Sequence, residues 1–162
     1  MLTQEKIKSI LHYDPESGLF TNIGKRRGST PGIRSGTKTT FGYIVIGVLD
    51  KSYMAHRLAW LYVYGYLPSQ LIDHINGIKD DNRICNLRLG NKSLNGANSK
   101  VPKNNKSGYK GVYWYASKNK YETYISVNRK RISLGYFSNI EDAKNAYMNA
   151  AKQHFGDFAR NG

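Results

Sequence analysis

The spacing of apolar residues changes several times along the chain, and each change predicts a different element. Leu2, Ile7, Ile10 and Leu11 mark a short helix within residues 1–23. The turn string Tyr13-Asp-Pro-Glu-Ser-Gly18 follows, then a short strand at 19–21. Residues 24–40, rich in Gly, Ser, Thr, Lys and Arg, predict a mobile basic loop. Residues 41–49 are β-rich, 50–52 read as a turn and 53–55 as the returning strand, which together make a hairpin. A helix is expected over 56–65, with Leu58, Leu61 and Val63 among its apolar positions. From 71 the order is strand (Leu71-Ile72), tight turn (Asn76-Gly77), long loop, strand (87–89) and helix (91–98).

Composition then divides the chain. Residues 100–107 are polar and basic, with Pro102 among them, and read as a linker between a region at 1–99 and a second at 108–162. Strands are expected at 109–115, 120–127 and 131–134. In the middle one Tyr121, Thr123, Ile125 and Val127 alternate with Lys120, Glu122, Tyr124 and Ser126, a period of two. Ser138-Asn-Ile-Glu141 reads as a capping box. It opens a helix reaching about Phe155, with Ala143, Ala146, Tyr147 and Ala150 on one face. The fold class expected is α+β.

Charge narrows the partner. The 162 residues hold 25 Lys plus Arg against 11 Asp plus Glu, a net charge of +14. Such an excess favours a polyanion through counterion release, most often nucleic acid, with an anionic membrane as the other candidate. No apolar run is long enough to cross a membrane and no signal segment is evident, so the expectation is a cytoplasmic protein with no membrane partner. The lone Cys85 excludes an internal disulfide and a paired-cysteine zinc site. Oligomeric state is open, with a monomer favoured.

The string from Leu71 to Arg88, followed by Ser93-Leu-Asn-Gly-Ala-Asn98, concentrates the chemistry. It supplies a carboxylate and amide oxygens suited to a hard cation, and an imidazole able to activate water. These residues resemble the HNH nucleases of phage and intron-borne homing endonucleases. The resemblance covers about 55–99 and implies a ββα-metal core. It implies His74 as general base and Asn86 as the residue bracing the loop and orienting that base. It implies Asp73 and Asn95 as ligands of Mg²⁺ or Mn²⁺, with Asn91 and Asn98 one turn away as competitors for the second position. Pleating of a strand sends Asp73 and His74 apart unless the strand end breaks that geometry. Asn82 and Arg83 are expected to tie down the long loop, and Arg88 to reach a phosphate or solvent. His56 is expected to pack or hydrogen-bond near the site, whereas His12 and His154 have no motif around them.

Nine basic residues and one acid, Glu122, lie between Lys100 and Arg131. With Tyr109-Lys-Gly-Val112, Leu134-Gly-Tyr-Phe137 and Glu141-Asp-Ala143, residues 107–160 resemble the plant ethylene-response-factor (Apetala-type) DNA-binding domain. That resemblance implies a three-stranded antiparallel sheet packed on one helix, and a DNA face of Lys110, Tyr113, Tyr115, Tyr124, Ser126, Arg131 and Ser133. Several of these are Arg or Trp in the plant domain, so its base preference does not carry over. Lys118, Lys120, Arg129 and Lys130 suit phosphates, and so do Lys25-Arg-Arg27, Arg34 and Lys38. The expected function is a metal-dependent DNA endonuclease of phage or mobile-element type, nicking or homing. The alternative is a DNA-binding regulator with an inactive HNH unit.

Overall fold

The computed structural model describes residues 2–24 and 30–159, so the Lys25-Arg-Arg27 cluster lies outside the described residues. The chain is α+β and divides into two compact units, Met1–Gly90 and Asn91–Gly162.

The first unit opens with α1 (Gln4–Ile10), capped by the Thr3 hydroxyl, which accepts from the Lys6 amide at 3.2 Å. A hairpin of β1 (Leu11–Asp14) and β2 (Leu19–Asn22) follows. The sequence placed only helix and turn before residue 19. Leu11 continues the helical spacing of Ile7 and Ile10, yet Leu11 and Tyr13 are buried on either side of exposed His12, and that alternation makes a strand. β3 (Thr37–Lys38), β4 (Ile44–Val48) and β5 (Lys51–Met54) form an antiparallel sheet in the order β3-β4-β5. β3 falls inside the stretch expected to be loop. The β4–β5 turn sits on Leu49 and Asp50, both at positive φ (51° and 60°), a residue earlier than expected. Such a two-residue turn matches the strand twist.

α2 (Ala55–Tyr64) buries Ala55, Leu58, Ala59 and Leu61 at helical spacing and stops at Gly65 in the left-handed conformation. These side chains share one core with Ile7, Leu11, Phe20, Ile46 and Val48. β6 (Leu71–His74) and β7 (Leu87–Gly90) form an antiparallel pair that adds Ile72 and Leu87 to that core.

The second unit begins with α3 (Lys92–Asn98). The side chain of Asn91 caps it, accepting from the Ser93 and Leu94 amides. Ala97 is buried with Val112, Ile125, Ala143 and Tyr147, and Leu94 packs against the same cluster. That packing places α3 with the second compact unit. β8 (Val112–Tyr115), β9 (Lys120–Val127) and β10 (Lys130–Phe137) form a sheet in the order β10-β9-β8. α4 (Ile140–Phe155) packs on one face of it through Ala143, Tyr147, Ala150, Ala151 and Phe155. Asn139, not Ser138, is the cap of α4, its side-chain oxygen accepting from the Glu141 amide at 2.8 Å.

Two glycines shape this unit. Gly111 has φ +71°, and a Cβ there would lie 2.2 Å from the Tyr147 ring and 2.6 Å from the Tyr124 carbonyl oxygen. Gly135 follows a bulge in β10, where the register shifts between Ser133 and Gly135. The shift sends both Leu134 and Phe137 toward the core and returns Tyr136 to the open face.

Candidate functional site

In the first unit β6 delivers Asp73 and His74, and residues 75–86 form a loop that returns to β7. Asn86, almost fully buried, closes that loop. Its Oδ1 accepts from the Asn76 amide at 3.0 Å and its Nδ2 donates to the Asp81 carbonyl at 2.8 Å. Asn76 in turn donates to the Asp81 carboxylate at 2.6 Å. Arg83 pairs with both oxygens of that carboxylate, at 2.8 and 2.6 Å. The guanidinium, followed by the Asn76 amide, holds the Asp81 carboxyl down to about 2.

The loop has a second brace that the sequence did not reveal. The Tyr13 hydroxyl donates to the Asn82 carbonyl at 2.8 Å. Gly18, at φ +70°, lets the β1–β2 turn run so close that a Cβ would lie 2.4 Å from the Arg83 amide nitrogen. Asp14 stiffens that turn by accepting from the Glu16 amide and the Ser17 hydroxyl. Thus the Tyr-Asp-Pro-Glu-Ser-Gly string, unspecific as a motif, supports the back of the candidate site.

His74 is 5% exposed. Its Nε2 lies 3.3 Å from Asn82 Oδ1. Asn82 Nδ2 donates to the Asp80 carbonyl at 3.2 Å, which fixes the amide so that its oxygen faces the imidazole. An amide oxygen only accepts, so the network assigns the proton to Nε2 and the lone pair to Nδ1. Burial lowers the His74 pKa, partly offset by the Asn82 bond and by the charges of Asp73, Asp81 and Asp80. The neutral ring, the form that can take a proton, therefore prevails at physiological pH.

Two further rings enclose it. His56 meets His74 edge to face at 5.1 Å between centroids, and Tyr43 lies 6.0 Å from His74 and 5.7 Å from His56. Burial, then His74 and Arg57, push His56 down to about 3, and its buried Nδ1 has no hydrogen-bond partner. The packing expected of His56 is thus placed directly against His74.

Asp73 and Arg88 are cross-strand partners. The Arg88 Nη2 and Nε lie 3.0 and 3.1 Å from Asp73 Oδ2, with both side chains mostly buried. The two neighbours on β6 do diverge, Asp73 toward Arg88 and His74 toward Asn82. Arg88 therefore spends its guanidinium on Asp73. Asn95, on α3 in the second unit, has a buried Oδ1 without a hydrogen-bond partner. Each is by type an oxygen donor that Mg²⁺ or Mn²⁺ takes, Asp73 in the first unit, where Arg88 engages it, and Asn95 in the second. Among the described residues no cluster of three or more His, Cys, Asp or Glu forms a metal cage. Asn91 is occupied as the α3 cap, while Asn98 is buried.

In the second unit the face of the sheet away from α4 carries Tyr113, Tyr115, Lys120, Glu122, Tyr124, Ser126, Arg131, Ser133 and Tyr136, as their pairings require. Tyr113 stacks on Tyr124 at 5.0 Å and 10°, and the Arg131 guanidinium covers the other side of Tyr124 at 3.4 Å. Burial, then hydrogen bonding to Tyr124, raises Tyr113 to about 12. Arg131 also pairs with Glu122 at 3.0 Å. Lys118 stands 3.9 Å over the Tyr136 ring, and Tyr136 donates to Glu122 at 3.4 Å. Glu122 and Tyr136 were missed as face residues, though period two alone would have found Glu122.

Arg129 lies in the β9–β10 turn, and Lys130 faces the other way, opposite Val127. Lys110 departs from expectation. Its ammonium donates to the carbonyls of Gly96, Ala97 and Ser99 at 2.7, 2.7 and 2.9 Å, capping α3 instead of joining the sheet face. Among the described residues no helix is long and apolar enough to cross a membrane.

Residues 53–97 match the HNH endonuclease family, and residues 107–156 match the AP2 domain. Protein 3.8 of Escherichia phage T7 is 30% identical over 106 residues, covering 65% of this chain and 87% of that protein. A chain of the solved structure "DNA binding and cleavage by the HNH homing endonuclease I-HmuI" is 23% identical, with a TM-score of 0.42. That match covers 55% of this chain and 51% of the other, so it spans about half the length of the solved chain.

Proposed function

The chain belongs to the family of protein 3.8 of Escherichia phage T7 and carries an HNH endonuclease domain followed by an AP2 domain; from that premise we propose a metal-dependent endonuclease that nicks double-stranded DNA. The observation that carries this reading is the His74–Asn82 pair, because it holds a neutral imidazole in one orientation within the loop. The imidazole takes the proton of a water whose oxygen attacks phosphorus, and the bond from phosphorus to the leaving ester oxygen breaks. Asn86 and Asn82 keep loop and ring in that orientation, so little reorganisation is left for the reaction itself. Asp73 is the oxygen ligand proposed in the first unit for Mg²⁺ or Mn²⁺, which when bound would supply Lewis-acid stabilisation of the leaving oxygen, and the orphaned amide oxygen of Asn95 is the candidate donor of the second unit.

The AP2 sheet is the proposed DNA reader. Arg131, pinned between Tyr124 and Glu122, offers its remaining N–H edge to a base, with Tyr113, Tyr115, Tyr124, Ser126 and Ser133 around it. Lys118, Lys120 and Arg129 hold phosphates, whereas Lys130, on the opposite side of the sheet, is left out of that set. One candidate active site per chain suits a nick by a monomer. Relaxation of supercoiled plasmid by the purified chain tests the reading. Nicked circles should form with Mg²⁺ and none with EDTA, and cleavage unaffected by EDTA would contradict the metal. A chain that binds the plasmid but never cuts it would instead be the regulator.

A further inference from the structure

Phe41 is the most exposed large apolar residue among those described, at 77%. It does not sit on a loose end. Residues 39–42 form a turn closed by the Gly42 amide donating to the Thr39 carbonyl at 2.9 Å. The Thr39 amide donates to the Tyr43 carbonyl at 2.7 Å, and the Tyr43 amide to the Thr39 hydroxyl at 3.2 Å. Lys79 donates to the Phe41 carbonyl at 3.0 Å and covers the Tyr43 ring at 5.0 Å, while Lys38 pairs with Asp80 at 2.6 Å. The turn is thereby tied to the loop that follows His74. On that loop Ile75 and Ile78 are also exposed, at 43% and 54%.

Two facts bear on what Phe41 meets. Tyr43, two residues on, has its ring 6.0 Å from that of His74, so the Phe41 turn borders the candidate site. His74 is itself 5% exposed, so a phosphate must enter a recess to meet it. A rigid aromatic tip flanked by lysines suits a deformed duplex. The lysines attract phosphates and the ring replaces a stacking partner. We infer that Phe41 is a wedge that enters a base step of duplex DNA beside the scissile phosphate, unstacking it so that the backbone bends into the His74 recess. The inference rests on the endonuclease reading above for its substrate.

The test uses the full chain and a synthetic duplex carrying a mapped nick site. With 2-aminopurine beside the nick site and EDTA present, the wild type should raise the fluorescence on binding and Phe41→Ala should not. With Mg²⁺, Phe41→Ala should nick the intact duplex about 10–100-fold more slowly, the rate equivalent of losing a wedge that offsets unstacking of one step. Phe41→Trp should keep the wild-type rate. A mismatch at the same step, unstacked in advance, should return Phe41→Ala to the wild-type rate on that duplex. The exposed side chain adds little to folding, so thermal melting of Phe41→Ala should match the wild type. Equal fluorescence changes in both proteins, or none in either, would overturn the wedge, as would an equal loss on matched and mismatched duplexes. On a duplex chosen by binding selection in place of nick mapping, a wild type that shows the fluorescence change at one step but never nicks would refute the endonuclease reading and leave the wedge standing.

Discussion

In the first unit His74, Asn82 and Asn86 are each at most 6% exposed, and their polar atoms are tied to Asp80, Asp81, Asn76 and one another. In the second, Arg131 is 53% exposed, and Lys118 and Lys120 reach solvent from the same sheet face. The difference follows from what each set of groups is proposed to do. A general base acts only from one orientation, and the cheapest way to hold an orientation is to bury the side chain in a fully bonded network. Groups that meet a groove must remain reachable, and need only enough support to avoid collapsing onto the surface. Arg131 has that support in one ring and one carboxylate.

The contrast breaks first at Asn86. Asn86→Ala removes one acceptor and one donor from a buried loop, leaving the Asn76 amide and the Asp81 carbonyl unpaired. Urea unfolding should show a loss of roughly 2–5 kcal/mol at two such groups, and nicking should fall with it. Full stability in that variant would mean that the loop does not depend on its brace. A surface change in the second unit should show the opposite profile. Arg131→Ala should leave melting within error, weaken specific binding by about 1–3 kcal/mol and relax preference at one base position, as read by site selection. Unchanged preferences would make Arg131 a phosphate contact only.

How much of this was legible beforehand depends on range. β9 was read to the residue, because alternation over Lys120–Val127 is a local signal. α2 and α4 came close for the same reason, through their apolar spacing. The His74, Asn86 and Asp73 positions were legible through motif resemblance. What paired with them was not. Asp73 meets Arg88 only through the β6–β7 register, and His56 reaches His74 only through the tertiary fold. Lys110 looked like a DNA contact because a lysine beside a strand carries no mark of the helix end it caps. Likewise Gly18 looked like an ordinary turn glycine until Asn82 and Arg83 were seen behind it.

Acid sharpens the contrast on a smaller scale. His56 has a folded pKa of about 3 against an ordinary 6.5, so below pH 6.5 the unfolded chain takes up a proton that the folded chain refuses. Stability should therefore be unaffected by this group above pH 6.5. It should fall as pH drops from 6.5 toward 3, by up to about 1.4 kcal/mol per pH unit. His56→Phe should lose less stability than the wild type between pH 7 and pH 5 in urea titrations. Equal slopes would show that His56 titrates normally. The smallest effect is expected at Lys118. Lys118→Gln should weaken binding to all sequences alike and lower the slope of log affinity against log salt by about one. A change confined to one sequence would move Lys118 from the phosphates to the bases.

The central claim is that a buried, neutral His74 is the general base. It is tested most directly by the single-turnover nicking rate of His74→Ala beside the wild type in Mg²⁺, at DNA concentrations that saturate both. The expected result is a loss of about 10²–10⁴-fold in rate with DNA affinity intact, the usual worth of a general base. A His74→Ala chain that folds, binds and nicks at the wild-type rate would contradict it.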